Sequence, residues 1–219
     1  MVRKKNSSLN HSDETSHKDS TLEWWCFEAF FKTEEDKKEW SLKLDFTEWD
    51  NSAYKKGSLM IFTLFDIKNN IIYDISDRND KNKLISSSQY FKIGFKNSYI
   101  TGGFPKYKIV VEDKKNDIII EMNFDSLSVP HMVAEDISNG WLPLGFGFYK
   151  YNFIPRGKIK GIFQIDDKKY NFNGTAYYEH VWGSFTYRKL VDSLKSIKKS
   201  ISLYGKLLKK EIEVLHPKI

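Results

Sequence analysis

The chain has 219 residues, 16% of them aromatic, with a single cysteine and a formal net charge of +6. That length suits one large all-β domain or two small ones, and the apolar content is enough to close a core, which excludes a wholly disordered chain. No run reaches the roughly 20 apolar residues of a membrane-spanning helix, the polar start has no signal-peptide core, and the lone Cys26 favours a reducing compartment, so a cytoplasmic protein is expected.

Residues 1–20 are rich in Ser, Asn, Asp, Lys and His and are expected to form a flexible arm. From Thr21 the pattern changes to short apolar runs with period-2 alternation, broken by turn residues. Strands are predicted at Leu22–Lys32, Trp40–Phe46, Ser58–Asp66, Ile71–Ser76, Tyr90–Phe95, Ser98–Thr101, Lys106–Glu112 and Ile118–Asp125. After an irregular loop with Pro130, Gly140 and Pro143, further strands are expected at Gly147–Phe153, Lys158–Ile165 and Tyr170–Tyr178, the last two joined across Asp166-Asp167-Lys168. Hairpin-linked strands imply antiparallel pairing, and the fold class is an all-β barrel or sandwich over residues 21–188.

The remaining residues, 189–219, read differently. Leu190, Leu194, Ile197, Ile201, Tyr204, Leu208 and Leu215 recur at helical spacing, opposite Lys195, Lys198, Lys199, Lys206, Lys209 and Lys210. This basic amphipathic helix carries +5 of the net charge, from eight Lys against one Asp and two Glu. The β domain is near neutral, which argues against a nucleic-acid partner. The helix is expected either to pack on the barrel or link to a further domain, or to make peripheral contact with an anionic membrane through residues 189–215.

Two aromatic clusters carry the chemistry. In Leu22-Glu23-Trp24-Trp25-Cys26-Phe27, strand alternation puts Glu23, Trp25 and Phe27 on one face and Trp24 on the other. A carboxylate there is either a satisfied structural acceptor or an acid with a raised pKa. In Gly174-Thr175-Ala176-Tyr177-Tyr178-Glu179-His180-Val181-Trp182-Gly183, Tyr178, His180 and Trp182 share one face and Tyr177, Glu179 and Val181 the other. A His between two aromatics is a proton-transfer candidate; the alternative is a buried His bonded to backbone. Which face points inward is left open.

Together these clusters resemble the carotenoid 1,2-hydratase (hydroxyneurosporene synthase) family. The first resembles its EWWYF motif. Ile154-Pro155-Arg156 followed by Gly174 to Gly183 resembles its PR…G-x-G-Y-H-D-H-x-W-G signature. The resemblance covers residues 20–185 and implies a lipocalin-like domain, the first of two, acting on or binding an apolar, isoprenoid-like molecule. The family's H-x-W pair falls on His180 and Trp182, implying proton handling and cation stabilisation. Cys26, Ala176, Tyr178 and Glu179 stand where the family has Tyr, Gly, His and Asp. The family's Tyr-x-Asp acid segment has no counterpart, the Lys-rich helix standing in its place, and neither has its second domain, so a truncated chain or a single-domain relative is expected. On this reading Glu179 and His180 handle protons, and Glu23, Trp24, Trp25, Tyr177, Tyr178 and Trp182 shape the pocket. A non-catalytic binding module is the alternative. The five histidines show no metal-ligand spacing, there is no phosphate loop, and no metal or cofactor is expected.

Overall fold

The computed structural model describes residues 9–51, 55–79, 84–86, 90–184 and 190–215. Thirteen strands form one antiparallel sheet: β1 (Leu22–Thr33), β2 (Glu39–Asn51), β3 (Lys55–Asp66), β4 (Ile71–Asn79), β5 (Ile85–Ser86), β6 (Phe91–Phe95), β7 (Ser98–Gly103), β8 (Lys106–Asp113), β9 (Ile118–Ser126), β10 (His131–Met132), β11 (Trp141–Leu144), β12 (Gly147–Ile165) and β13 (Lys168–Ser184). A short helix, α1 (Glu135–Ser138), precedes β11, and α2 (Leu190–Leu215) follows the sheet.

The strand order is β4-β3-β2-β1-β13-β12-β9-β8-β7-β6-β5, with β10 and β11 paired to β12. Every neighbouring pair except β1–β13, β9–β12 and β10–β12 is consecutive in the chain, as hairpin connections require. The sheet curls into a lipocalin-like half-barrel whose concave face is the core. Alternation builds that face. Trp25, Phe27, Ala29 and Phe31 of β1 meet Trp40, Leu42, Leu44 and Phe46 of β2. Tyr107, Ile109 and Val111 of β8 meet Ile120, Met122 and Phe124 of β9. Aromatic rings fill the interior edge to face: Phe27 meets Phe124 at 5.7 Å, and Phe163 meets Trp40 at 4.9 Å.

The turns follow from their residues. Asp166 and Asp167 both take positive φ, 48° and 61°, in the two-residue turn joining β12 to β13, which is the type I′ requirement. Asp66 anchors the β3–β4 turn, accepting from Asn69 N at 3.1 Å and pairing with Lys38 Nζ at 2.5 Å. The two strands expected at Gly147–Phe153 and Lys158–Ile165 are one 19-residue strand with a register shift between Ile154 and Gly157. Pro155 lacks an amide hydrogen, so the ladder bulges there instead of ending.

α2 falls within the expected 189–219, of which residues 189 and 216–219 lie outside the described residues. Ser196, Ser200 and Leu203 are buried toward the sheet, and Ser200 donates to the Gly145 carbonyl at 2.9 Å. Lys199 lies over Trp141 and Phe148 at 3.7 and 3.8 Å. Leu194, Ile201, Tyr204 and Leu208 are exposed. The helix therefore docks through small residues and a lysine stem, and turns its apolar stripe outward. No helix among the described residues is long and apolar enough to cross a membrane.

Candidate functional site

β1 and β13 are adjacent and antiparallel, so residues directly opposite share a face. The register pairs Glu23 with Trp182, Trp25 with His180, and Phe27 with Tyr178. All six are buried on the concave side. On the other side of β13, Asn152 of β12 stands opposite His180. The face left open by the sequence is thereby decided: Glu23, Trp25, Tyr178, His180 and Trp182 point inward together.

Glu179, Tyr177 and Trp24 do not join them. They lie on the convex face, where Glu179 accepts from Trp24 Nε1 at 3.1 Å, Tyr177 OH at 2.6 Å and Tyr151 OH at 2.9 Å. Burial, with Glu179 behind it, raises the Tyr177 phenol above its ordinary value. Cys26 sits on the same side; burial first, and the Asp45 carboxylate next, push its thiol up to about 12. Of the two residues assigned to proton handling, His180 faces inward and Glu179 outward, because neighbours on a strand point to opposite faces.

The inward group is completed by residues the sequence did not single out. Residues 9–20, read as part of a flexible arm, cross the end of the barrel through a 3-10 turn at His11–Asp13; residues 1–8 lie outside the described residues. The Asp13 carbonyl is 2.8 Å from His180 Nδ1. The Glu14 carbonyl accepts from Trp25 Nε1 at 2.9 Å, and its buried carboxylate accepts from Tyr107 OH. Ser20 Oγ donates to the Gly183 carbonyl at 3.0 Å. His17 reaches Glu23 twice, through its backbone N–H to Oε2 at 2.9 Å and Nδ1 to Oε1 at 2.7 Å.

The centre of the site is Glu23 and His180. His180 Nε2 lies 2.7 Å from Glu23 Oε1, and the two side chains are 1% and 0% exposed. A carbonyl only accepts, so the Asp13 contact assigns the Nδ1 hydrogen and directs Nε2 at the carboxylate. Burial opposes ionisation of Glu23, but hydrogen bonds from His17 and His180 outweigh it and hold the carboxyl below its ordinary value. Four rings stack in series: Trp25 on His180 at 4.6 Å, His180 on Trp182 at 4.7 Å, and Trp182 on His17 at 4.3 Å. Among the described residues, both side-chain polar atoms of Asn152 and the hydroxyl of Tyr178 are buried without a hydrogen-bond partner, as is Trp40 Nε1 elsewhere in the core. In a packed interior such atoms are uncommon.

Two glycines of the β13 cluster are explained by close approach. A Cβ at Gly174 would stand 2.1 Å from the Phe30 carbonyl oxygen, and one at Gly183 2.3 Å from that of Phe148. A cleft of about 360 Å³ opens beside the arm, lined among others by Ser16, His17, Glu23, Glu48, Trp49 and Leu84. Glu23 lies in its wall, and the cleft is more polar than an apolar ligand pocket.

His17, Asp13, Glu14 and Asn152 were missed because nothing in a polar arm or a generic strand distinguishes them. One signal pointed to them indirectly: Glu23 and His180 each interrupt an apolar face, and buried polar groups require partners.

No protein-family model and no curated protein matches the sequence. Solved structures share the fold. A protein assigned as AttH from Nitrosomonas europaea aligns with a TM-score of 0.65 at 16% identity over 83% of this chain and 57% of that one. Kievitone hydratase from Nectria haematococca aligns with a TM-score of 0.59 at 14% identity over 81% of this chain and 52% of that one. The chain thus spans a little over half the length of these structures.

Proposed function

We propose that the domain takes an apolar, isoprenoid-like small molecule at its arm-covered end and hydrates it by proton transfer through His180. The observation that carries this reading is the buried Glu23–His180 pair held between the faces of Trp25 and Trp182. In its protonated form His180 donates from Nε2 to an alkene carbon, leaving a tertiary cation. Water adds to the cation, and the proton it releases returns to the Glu23–His180 pair. Asn152 and Tyr178 supply buried polar atoms for the oxygen. Kievitone hydratase, which shares the fold, is by its name a hydratase. Glu179 keeps a scaffolding role on the convex face.

Incubating the purified chain with linear isoprenoid alkenes in ¹⁸O-labelled water tests the reaction. The expected result is labelled alcohol, with His180→Gln lowering turnover by about 10²- to 10⁴-fold while isoprenoid still binds. Binding without label in the unaltered chain would leave a non-catalytic binding module, the alternative that the filled interior favours. No binding at all would remove both.

A separate observation favours a membrane-surface role for α2: its apolar stripe points outward beside a lysine-rich flank, the arrangement an anionic bilayer accepts. Of the segment 189–215 assigned to this contact, Lys189 lies outside the described residues. The chain is expected to co-sediment with anionic vesicles at low salt, and Ile201→Asp with Leu208→Asp to abolish this. Equal retention by neutral and anionic vesicles, or by none, overturns it.

A further inference from the structure

The barrel and the arm together contribute three convergent donors. His17 Nδ1, a Glu23 carboxylate oxygen and His180 Nε2 lie within 4.8 Å of one another. We infer that these three residues form a binding site for a borderline divalent metal ion of the zinc type, and that the bound ion latches the arm across the end of the barrel.

Three features support the assignment. First, both imidazole nitrogens converge on the same oxygen, Glu23 Oε1, each at 2.7 Å. Second, two of the three ligands are already oriented from behind. His180 presents Nδ1 to the Asp13 carbonyl at 2.8 Å, leaving Nε2 as the ligating atom. A backbone carbonyl on the far nitrogen is the usual support of a metal-bound histidine. Glu23 Oε2 is held by the His17 backbone N–H at 2.9 Å, so Oε1 is the oxygen available. Third, the site is dry on one side and open on the other: Glu23 and His180 are fully buried, while His17 is 25% exposed and lines the cleft. Three protein ligands and a fourth position facing solvent describe an open tetrahedral site.

The donor set selects the ion. Two imidazoles and one carboxylate suit Zn²⁺ and its neighbours Co²⁺, Ni²⁺ and Cu²⁺. Mg²⁺ and Ca²⁺ want more oxygens than this site offers. Metal–ligand bonds of about 2.0–2.2 Å place tetrahedral donors roughly 3.3 Å apart, so the ion opens the present contacts by about half an ångström. His17 is the ligand able to move, since it belongs to the arm and not to the sheet.

The consequence is a tie between distant parts of the chain. His17 comes from the arm, Glu23 from β1 and His180 from β13. One nitrogen cannot hold a metal and transfer a proton at once, so the metal-bound chain is a closed form with His180 Nε2 occupied. The site itself does not depend on the proposed hydration, because metal binding is measured without any organic ligand.

The test uses the whole chain, stripped of metal with a chelator. Titration with Co²⁺ followed by visible absorption, and with Zn²⁺ by calorimetry, is expected to show one ion per chain. His17→Ala is the informative variant, since His17 lies outside the sheet and is partly exposed. It is expected to weaken Zn²⁺ by more than the roughly 10- to 100-fold that loss of an outer hydrogen-bond partner costs, with an unchanged circular dichroism spectrum. Limited proteolysis supplies a second readout: Zn²⁺, but not Mg²⁺, is expected to protect the arm of the unaltered chain and not that of His17→Ala. Absence of stoichiometric binding, or equal binding and protection in His17→Ala, overturns the proposal.

Discussion

Trp25→Ala is expected to destabilise the chain by about 3–5 kcal/mol, the range for truncating a fully buried aromatic. Trp25 has no exposed surface and belongs to β1, which lies between β2 and β13. Its ring stacks on His180 at 4.6 Å, and its Nε1 anchors the Glu14 carbonyl at 2.9 Å. Truncation therefore opens a cavity, unsupports His180 and releases one tie on the arm. In a chain of this size each kcal/mol lowers the midpoint by roughly 2–4 °C, so a fall near 10 °C is expected in thermal unfolding followed by circular dichroism. Trp25→Phe keeps much of the volume but not the donor, and its smaller loss separates packing from the hydrogen bond. A loss below about 1 kcal/mol for Trp25→Ala, typical of a surface change, contradicts a packed interior at this position.

The second large effect contrasts two carboxylates that a linear reading treats alike. Glu23→Ala removes the one acceptor shared by His17 and His180 in a site with no water-exposed face on the β13 side. Removing one member of such a buried pair costs about 3–5 kcal/mol, because the partner is left desolvated and unpaired. Glu179→Ala removes an acceptor for Trp24, Tyr151 and Tyr177, but these sit on the partly exposed convex face, where water replaces it. About 1 kcal/mol is expected there. Urea unfolding of both variants measures the difference. A Glu23→Ala/His180→Ala double variant should show coupling of about 0.5–3 kcal/mol, as contacting residues do. Equal costs for Glu23→Ala and Glu179→Ala would place both carboxylates in similar surroundings and contradict the inward assignment.

Much of the architecture was legible because it is local. The alternation in Glu23-Trp24-Trp25-Cys26-Phe27 and in Tyr178-Glu179-His180-Val181-Trp182 reports which residues share a face, since strand geometry alone imposes it. Turn residues such as Asp166-Asp167 marked the β12–β13 hairpin for the same reason. Boundaries were less legible where local chemistry misled. The gap left between the strands expected at Gly147–Phe153 and Lys158–Ile165 proved to be a bulge inside one long strand, because β13 continues the pairing on both sides of it. In α2 the helical period was legible, but the docked side was not: Ser196 and Ser200 lie inward and Ile201 outward.

The site divides along the same line. Periodicity placed His180 with Tyr178 and Trp182, and Glu23 with Trp25, because backbone sterics set side-chain direction residue by residue. Only the pairing of β1 with β13 decided that those two faces are the same interior one, that His180 pairs with Glu23 across 157 positions of sequence, and that Glu179 is turned away. The arm was beyond sequence reasoning for a related reason. His17 becomes a partner of Glu23 because the curvature of the sheet brings the chain's start over the barrel end, and two buried polar groups there need partners that no local pattern supplies.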